Sequence, residues 1–163
     1  ISYNIANLEK KLNFVSFLTY IYKFDIFFFF ETHATSEKQL YLSSFFKNYT
    51  LHWISATKTH NAGRASGGCL YGFKKDIQKK FNLKFVNLNN NIVLNATFNK
   101  RVFYLIPKYI NCTKWNNEFT DFETFLNDLN PTDFCILGDL NARISEEQFL
   151  DKKNCKMFFK LKI

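Results

Sequence analysis

The stretch "DIFFFFETH", residues 25–33, places an uninterrupted apolar run, Ile26–Phe30, directly before a carboxylate, Glu31. Such a run is far shorter than the ~20 residues that a membrane-spanning helix needs, and it has the length of a strand buried on both faces. A carboxylate that follows a buried strand lies at a sheet edge, where α/β proteins commonly build ligand sites. The alternative is that Glu31 only marks the point at which the strand reaches solvent.

Composition limits what kind of protein this is. The chain has 163 residues, 47% of them hydrophobic and 19% aromatic, which predicts one folded domain with a substantial core. Its formal net charge of +8 favours an anionic partner, nucleic acid above all.

The four cysteines give no sign of a zinc site. Cys69, Cys112, Cys135 and Cys155 form no C-x-x-C pair, and no histidine lies at metal-ligand spacing from them. Their spread suits a reducing compartment, and no signal peptide opens the chain. We therefore expect an intracellular protein of the nucleus or cytoplasm that is not secreted and has no membrane partner.

Hydrophobic spacing predicts a mixed α/β layer protein. Residues 8–22 and 115–129 have helical spacing, and a further helix is predicted to begin near Ser36 with Leu40, Phe45 and Phe46 on its apolar face. Short runs between residues 69 and 106 alternate with turn residues, as in a strand meander. Residues 1–5, 25–30, 49–56 and 133–137 complete the predicted strands, the first two as a parallel β-α-β opening.

A second carboxylate follows a second buried strand. "DFCIL" leads into Gly138 and Asp139, and Asn4 ends a third strand. Adjacent carboxylates repel unless a cation lies between them, and oxygen ligands suit Mg²⁺ or Mn²⁺. We expect Gly138 to allow a tight turn that lets Asp139 and Asn141 face one pocket. An Asp-capped turn without a ligand is the alternative.

These residues carry a family resemblance. "SYNIANL", "FDIFFFFETH", "GRASGGCLYGFKK", "YLIPKY" and "ILGDLNARI" occur in the order expected of the endonuclease/exonuclease/phosphatase superfamily. The chain most resembles the apurinic/apyrimidinic-type endonuclease domain of non-LTR retrotransposons. The resemblance implies two packed, mostly antiparallel β-sheets flanked by helices, a four-layer α/β sandwich. It covers residues 1–148 and is incomplete at the C-terminus, leaving residues 149–163 as a basic diverged tail.

The resemblance also implies a site that cleaves phosphodiester bonds with Mg²⁺ or Mn²⁺. Glu31 matches the metal-binding glutamate, and Asn4 matches the asparagine that helps hold the metal and its neighbours. Asp139 matches the aspartate that orients or deprotonates the attacking water. Asn141 matches the asparagine that contacts the phosphate. Chemically, the metal offsets charge in the transition state while a carboxylate positions the water.

Contacts to DNA are assigned to three further residues. Arg64 and Ser66 lie in the loop before the "GGCLYGF" strand and are candidates for contacts to the DNA backbone, with a solvated loop as the alternative. The family tyrosine that positions the phosphate is replaced here by Leu105. Tyr109 is a candidate substitute, with ordinary packing as the alternative, whereas strand alternation turns Tyr104 to the opposite face.

The chain departs from the family pattern in its last residues. The family ends in a Ser-Asp-His-like triplet, whereas this sequence has no histidine after His60. Loss of such a histidine is expected to lower the rate by roughly a hundredfold or more. His33 follows the metal carboxylate, and we interpret it as a surface histidine.

Three functions remain open on the sequence. The first is an endonuclease that nicks DNA, impaired in this chain, from an ancestral element with a fused reverse transcriptase. The second is a non-catalytic relic that binds nucleic acid through its basic surface. The third is a phospholipid or inositol-phosphate phosphoesterase of the same superfamily. The sequence does not predict the oligomeric state.

Overall fold

The phenylalanine run forms a deeply buried strand. In a computed structural model, which describes residues 1–58, 63–89, 91–111 and 115–141, residues Ile26–Phe30 form a strand, and Phe27, Phe28, Phe29 and Phe30 are each 0% exposed. Successive strand residues face opposite sides of a sheet. Phe27 and Phe29 accordingly join one apolar cluster and Phe28 and Phe30 another. The prediction of a strand buried on both faces is confirmed.

Most strands and helices lie close to the predicted positions and in the predicted order. The strands of the described residues are β1 (Ser2–Asn4), β2 (Ile26–Phe30), β3 (Tyr49–Ile54), β4 (Cys69–Lys74), β5 (Lys84–Leu88), β6 (Asn91–Phe98), β7 (Arg101–Tyr109) and β8 (Phe134–Asp139). The helices are α1 (Leu8–Leu12), α2 (Val15–Ile21), α3 (Ser36–Ser43), α4 (Lys75–Phe81) and α5 (Trp115–Leu129), with a 3₁₀ turn at Ser44–Phe46.

The strands form two sheets of four. The first has the order β1-β2-β4-β3 and the second β5-β6-β7-β8. Two neighbouring pairs are parallel, β1 with β2 and β7 with β8, and the other pairs in the described residues are antiparallel. The expected arrangement of two mostly antiparallel sheets is confirmed, and so is the parallel opening.

Three apolar clusters define four layers. One cluster packs α1, α2 and α3 against the outer face of the first sheet. A second fills the space between the sheets, where Tyr71 and Phe73 of β4 meet Leu94 of β6. A third packs Phe122 and Phe125 of α5 against the outer face of the second sheet. The predicted four-layer sandwich is therefore observed.

Three local predictions were wrong. The strand meander expected between residues 69 and 106 contains a helix, α4, between β4 and β5. The helix expected over residues 8–22 is divided into α1 and α2, because Phe14 adopts an extended conformation with φ of −102°. On α3, Leu40 is 87% exposed, and Leu42, at 1%, provides the buried contact instead. The helix expected over residues 115–129 is confirmed as α5.

The predicted end of the domain at residue 148 and the basic tail 149–163 lie outside the described residues and remain predictions. Within the described ranges, none of the helices has the length and apolar character that crossing a bilayer requires.

Candidate active site

Four strand ends converge at one edge of the sandwich. Asn4 ends β1 and Glu31 follows β2, and because these strands are parallel both residues lie at the same sheet edge. Tyr109 ends β7 and pairs in register with Asp139 at the end of β8. Strand β1 lies against β8, and the Asn4 Nδ2 donates a hydrogen bond of 3.1 Å to Asp139 Oδ2. The two sheets therefore bring their candidate site residues together.

The Glu31 carboxylate is held by several donors. His33 Nε2 lies 2.8 Å from Glu31 Oε2, and the Gly67 backbone N–H donates to the same oxygen at 3.2 Å. The Tyr109 hydroxyl is also hydrogen-bonded to this side chain. Burial opposes ionisation of Glu31, but the hydrogen bonds from Tyr109, His33 and Gly67 outweigh it and lower the pKa. The carboxylate is therefore charged at neutral pH.

Tyr109 links the carboxylate of one sheet to the turn that follows the other. Its hydroxyl is hydrogen-bonded to the side chains of Glu31 and Asn141. Burial, followed by the bond to Glu31, raises the pKa of Tyr109 to about 12. Its ring stacks on Phe30, with centroids 6.0 Å apart. Tyr109 is thus a protonated donor at neutral pH, fixed from both sides.

The turn after β8 holds Asp139 and Asn141 side by side. The Asn141 backbone N–H donates to Asp139 Oδ1 at 3.1 Å, and its side-chain Nδ2 donates to the Ile110 carbonyl at 2.7 Å. Trp115 Nε1 donates to the Leu140 carbonyl at 3.0 Å. The contributions of Ile110 and Trp115 were not anticipated, because hydrogen bonds to backbone carbonyls leave no residue pattern in the sequence.

Gly138 is needed for a different reason from the one expected. It lies within β8, and a Cβ atom built on it would be 1.7 Å from the Lys108 carbonyl oxygen of β7. The left-handed residue of the turn is Asn141, with φ of 48°. Gly138 therefore permits close strand pairing, whereas Asn141 makes the turn that brings the side chains together.

The loop before β4 lies beside Glu31. Ser66 forms an isolated bridge with Thr57 through its backbone and is exposed. Arg64 Nε donates to His33 Nδ1 at 3.0 Å, and Arg64 Nη2 contacts the same nitrogen. The His33 side chain is only 11% exposed, so it is a packed member of the site, unlike the surface histidine that we expected.

Leu105, which replaces the family's phosphate-positioning tyrosine, and its neighbour Tyr104 face opposite sides of β7, as strand alternation predicted. Leu105 packs in the cluster between the sheets, on the same face as Tyr109, whereas Tyr104 packs in the cluster beneath α5. Only Tyr109 of these two tyrosines reaches Glu31.

The donor set fits a hard divalent cation. The site contains two carboxylates, Glu31 and Asp139, and the side-chain amides of Asn4 and Asn141. Carboxylate and amide oxygens are ligands that suit Mg²⁺ or Mn²⁺. Among the described residues there is no group of three or more His, Cys, Asp or Glu side chains that could hold a metal ion.

The chain belongs to the endonuclease/exonuclease/phosphatase family, whose sequence model matches residues 1–156. Curated proteins gave no significant sequence match.

Solved structures show the same fold at low sequence identity. The chain is similar to an AP endonuclease from Leishmania major, with a TM-score of 0.62 and 14% identity over 86% of this chain and 54% of that one. It is similar to an AP endonuclease from Archaeoglobus fulgidus, with a TM-score of 0.55 and 14% identity over 89% of this chain and 58% of that one. The same values, 0.55, 14%, 89% and 58%, hold for a 3' phosphatase from Neisseria bound to a product DNA hairpin. The chain thus spans little more than half the length of these structures.

Proposed function

We propose that this chain is a metal-dependent phosphodiesterase domain of the retrotransposon endonuclease type, which nicks DNA. The observation that carries the proposal is a continuous series of hydrogen bonds through the site. It runs through Asn4, Asp139, Asn141, Tyr109, Glu31, His33 and Arg64, and every link is between side chains except that from Asp139 to Asn141, which the Asn141 backbone N–H makes. A series of this kind fixes acid, amide and phenol groups around one point.

Each residue has a chemical role in this proposal. Glu31 holds the metal with help from Asn4, and the chemistry that Mg²⁺ or Mn²⁺ supplies there is polarisation of a phosphoryl oxygen. Asp139 orients or deprotonates the attacking water. Hydrogen bonds to both of its carboxylate oxygens hold the side chain in a fixed orientation for this role. Asn141 and Tyr109 are the candidates for contact with the phosphate; their amide N–H and hydroxyl groups, which here donate to Ile110 and Glu31, would have to turn toward it.

DNA is the substrate class that the surface and the motifs support. The net charge of +8 suits a polyanion, and Arg64 and Ser66 are exposed beside the site, where they would meet a DNA backbone. The AP endonucleases and the Neisseria phosphatase with its DNA hairpin have the same fold. The motifs "GRASGG" and "GDLNAR" support an origin in a retrotransposon element with a fused reverse transcriptase. Such a protein would act in the nucleus or cytoplasm.

A second candidate is a chain that binds nucleic acid without cleaving it. The formal net charge of +8 suits binding of a polyanion whether or not the chain cleaves it. Within the described residues, His33 is hydrogen-bonded to Glu31 and His52 stacks near Tyr71 and Phe85, whereas the hydrogen bonds to the Asp139 carboxylate come from Asn4 and Asn141. If no imidazole acts beside the water-orienting aspartate, the rate of turnover is expected to be lower by roughly a hundredfold or more.

A supercoiled-plasmid nicking assay with Mg²⁺ separates the candidates. We expect slow nicking that requires Mg²⁺ and is abolished by Glu31→Gln and by Asp139→Asn. Glu37→Gln, on the exposed side of α3, is the matched carboxylate control and should leave nicking unchanged. Salt-sensitive plasmid binding without any nicking favours the second candidate. Nicking that survives Glu31→Gln would contradict the proposed site.

A further inference from the structure

We propose that His33 is a positioning residue that holds the Glu31 carboxylate for metal binding, and that Arg64 fixes the His33 ring in the tautomer that does so. The inference rests on the proposed function of Glu31 as a metal ligand. It assigns His33 a role through another side chain, not a direct contact with metal or substrate.

The first step is the contact between His33 and Glu31. The Nε2–Oε2 distance of 2.8 Å is that of a strong hydrogen bond. The Gly67 N–H reaches the same oxygen at 3.2 Å, so two donors fix Oε2 from different parts of the chain. The side chains of His33 and Glu31 are 11% and 19% exposed, which limits competition from water.

The second step is the tautomer. Arginine carries only hydrogen-bond donors, so the His33 Nδ1 that faces Arg64 Nε at 3.0 Å must be the acceptor. In a neutral imidazole the other nitrogen then carries the proton. The proton on Nε2 is the one donated to Glu31, so the two contacts require the same tautomer.

The third step is the backbone on which both residues lie. Glu31 and His33 each have φ of 55°, a conformation that non-glycine residues rarely adopt. Thr32 N–H donates to the Gly68 carbonyl and His33 N–H donates to the Gly67 carbonyl, each at 3.0 Å. Backbone of this kind persists where the surroundings hold it, and such positions concentrate at functional sites.

These contacts argue against His33 as a metal ligand in its own right. Its Nε2 lies 2.8 Å from Glu31 Oε2, and its Nδ1 accepts from Arg64 Nε at 3.0 Å, whereas Arg64 Nη2 is at the longer distance of 3.4 Å from Nε2. With Nε2 protonated and Nδ1 accepting, neither ring nitrogen offers a free lone pair. Outer-shell donors of this type orient a ligand, and their removal typically weakens metal affinity about 10–100-fold.

The first experiment uses nitrogen NMR of the histidine ring in the metal-free 163-residue chain. We expect His33 to show a protonated Nε2 and an unprotonated Nδ1. Arg64→Leu should produce a mixture of tautomers, whereas Arg64→Lys, which keeps a donor, should retain most of the original one. A protonated Nδ1 in the wild-type chain, or no change in Arg64→Leu, would overturn the tautomer assignment. This measurement needs no His33 variant and so does not depend on the folding of one.

The second experiment measures Mn²⁺ affinity by electron paramagnetic resonance of the free ion. We expect His33→Ala to weaken Mn²⁺ binding about tenfold or more, and His33→Gln, whose amide nitrogen can replace Nε2, to restore it to within about threefold. His52→Gln on β3 is the matched histidine control and should bind as the wild type does.

Glu31→Gln separates the two possible failures. If Glu31→Gln loses Mn²⁺ affinity but His33→Ala does not, only the positioning role is refuted. If Glu31→Gln binds Mn²⁺ as tightly as the wild type, the proposed metal function fails, whatever the His33 variants show. Equal losses in His33→Ala and His33→Gln, with thermal unfolding unchanged, would refute the donor role of the ring.

Discussion

Asn4 and Asp139 are separated by 135 positions in the chain, and the 3.1 Å hydrogen bond between them joins the first sheet to the second. Asn4 ends β1 and Asp139 ends β8, strands that lie at facing edges of the two sheets. The bond places an amide from one sheet against the carboxylate proposed to orient water on the other. The geometry of the site therefore depends on the sheets keeping their relative position.

Removing the amide should impair catalysis more than folding. We expect Asn4→Ala to lower the Mg²⁺-dependent nicking rate by about ten- to a hundredfold, because a hydrogen bond to a charged group is lost at Asp139. Plasmid nicking under single-turnover conditions measures this change. Asn87→Ala, an exposed position in β5, is the control. A nicking rate unchanged by Asn4→Ala would show that the amide has no part in catalysis.

Tyr109→Phe tests the hydroxyl shared by Glu31 and Asn141. Glu31 loses one of the donors that lower its pKa, so we expect that pKa to rise toward the ordinary glutamate value. Carbon NMR of the Glu31 carboxyl group during an acid titration measures the shift. Tyr104→Phe, on the same strand but the opposite face, should leave the titration unchanged. An unaltered Glu31 titration in Tyr109→Phe would contradict the contact.

The site residues that could be predicted from the sequence are the acidic residues that directly follow or end an apolar strand. Glu31 directly follows β2 and Asp139 ends β8, so each lies at the end of a predicted strand. The contact between His33 and Arg64 could not be predicted in this way. It depends on a loop returning to the strand end in three dimensions, and neither residue follows a periodic pattern.

Helix α3 shows a related limit of pattern analysis. Leu40 and Leu42 are two residues apart, so helical spacing alone does not decide which of them faces the core. The choice depends on how the helix packs on the first sheet, where Leu42 joins the outer apolar cluster.

The two leucines of α3 provide a matched pair for stability. Leu42 is 1% exposed, so we expect Leu42→Ala to lower the free energy of unfolding by about 2–5 kcal/mol. Leu40 is 87% exposed, and Leu40→Ala should change it by no more than about 0.5 kcal/mol. Urea unfolding followed by circular dichroism measures both. A larger loss for Leu40→Ala than for Leu42→Ala would mean that α3 packs through its other face.

Gly138 and Gly67 form a second pair for comparison. At Gly138 there is no room for a side chain, and at Gly67 the backbone conformation is one that other residues adopt only with strain. A Cβ at Gly138 would be 1.7 Å from the Lys108 carbonyl, so β7 and β8 must separate, and we expect Gly138→Ala to cost about 3 kcal/mol or more. A Cβ at Gly67 would meet no atom within 4 Å, but Gly67 has φ of 71°, so Gly67→Ala should cost about 1–2 kcal/mol. Thermal unfolding ranks the two variants, and a reversed order would contradict the close pairing of β7 with β8.

Tyr49 is expected to make the protein sensitive to alkaline pH. Its side chain is 3% exposed, and its hydroxyl donates to the Phe24 carbonyl at 2.7 Å. Burial is the main cause that raises the pKa of Tyr49 to about 12, whereas a tyrosine in the unfolded chain loses its proton near pH ~10. Between these values the unfolded state binds fewer protons than the folded state, so the free energy of unfolding falls as the pH rises.

Tyr49→Phe isolates this contribution. At neutral pH the variant should lose about 1 kcal/mol of stability with its hydrogen bond, and from about pH 10 upward its stability should fall less steeply than that of the wild type. Tyr41→Phe, which removes a hydroxyl from a side chain that is 58% exposed, is the control. Urea unfolding midpoints across this alkaline range measure the slopes. Parallel slopes for the wild type and Tyr49→Phe would show that Tyr49 ionises equally in both states, which its burial against Phe24 does not allow.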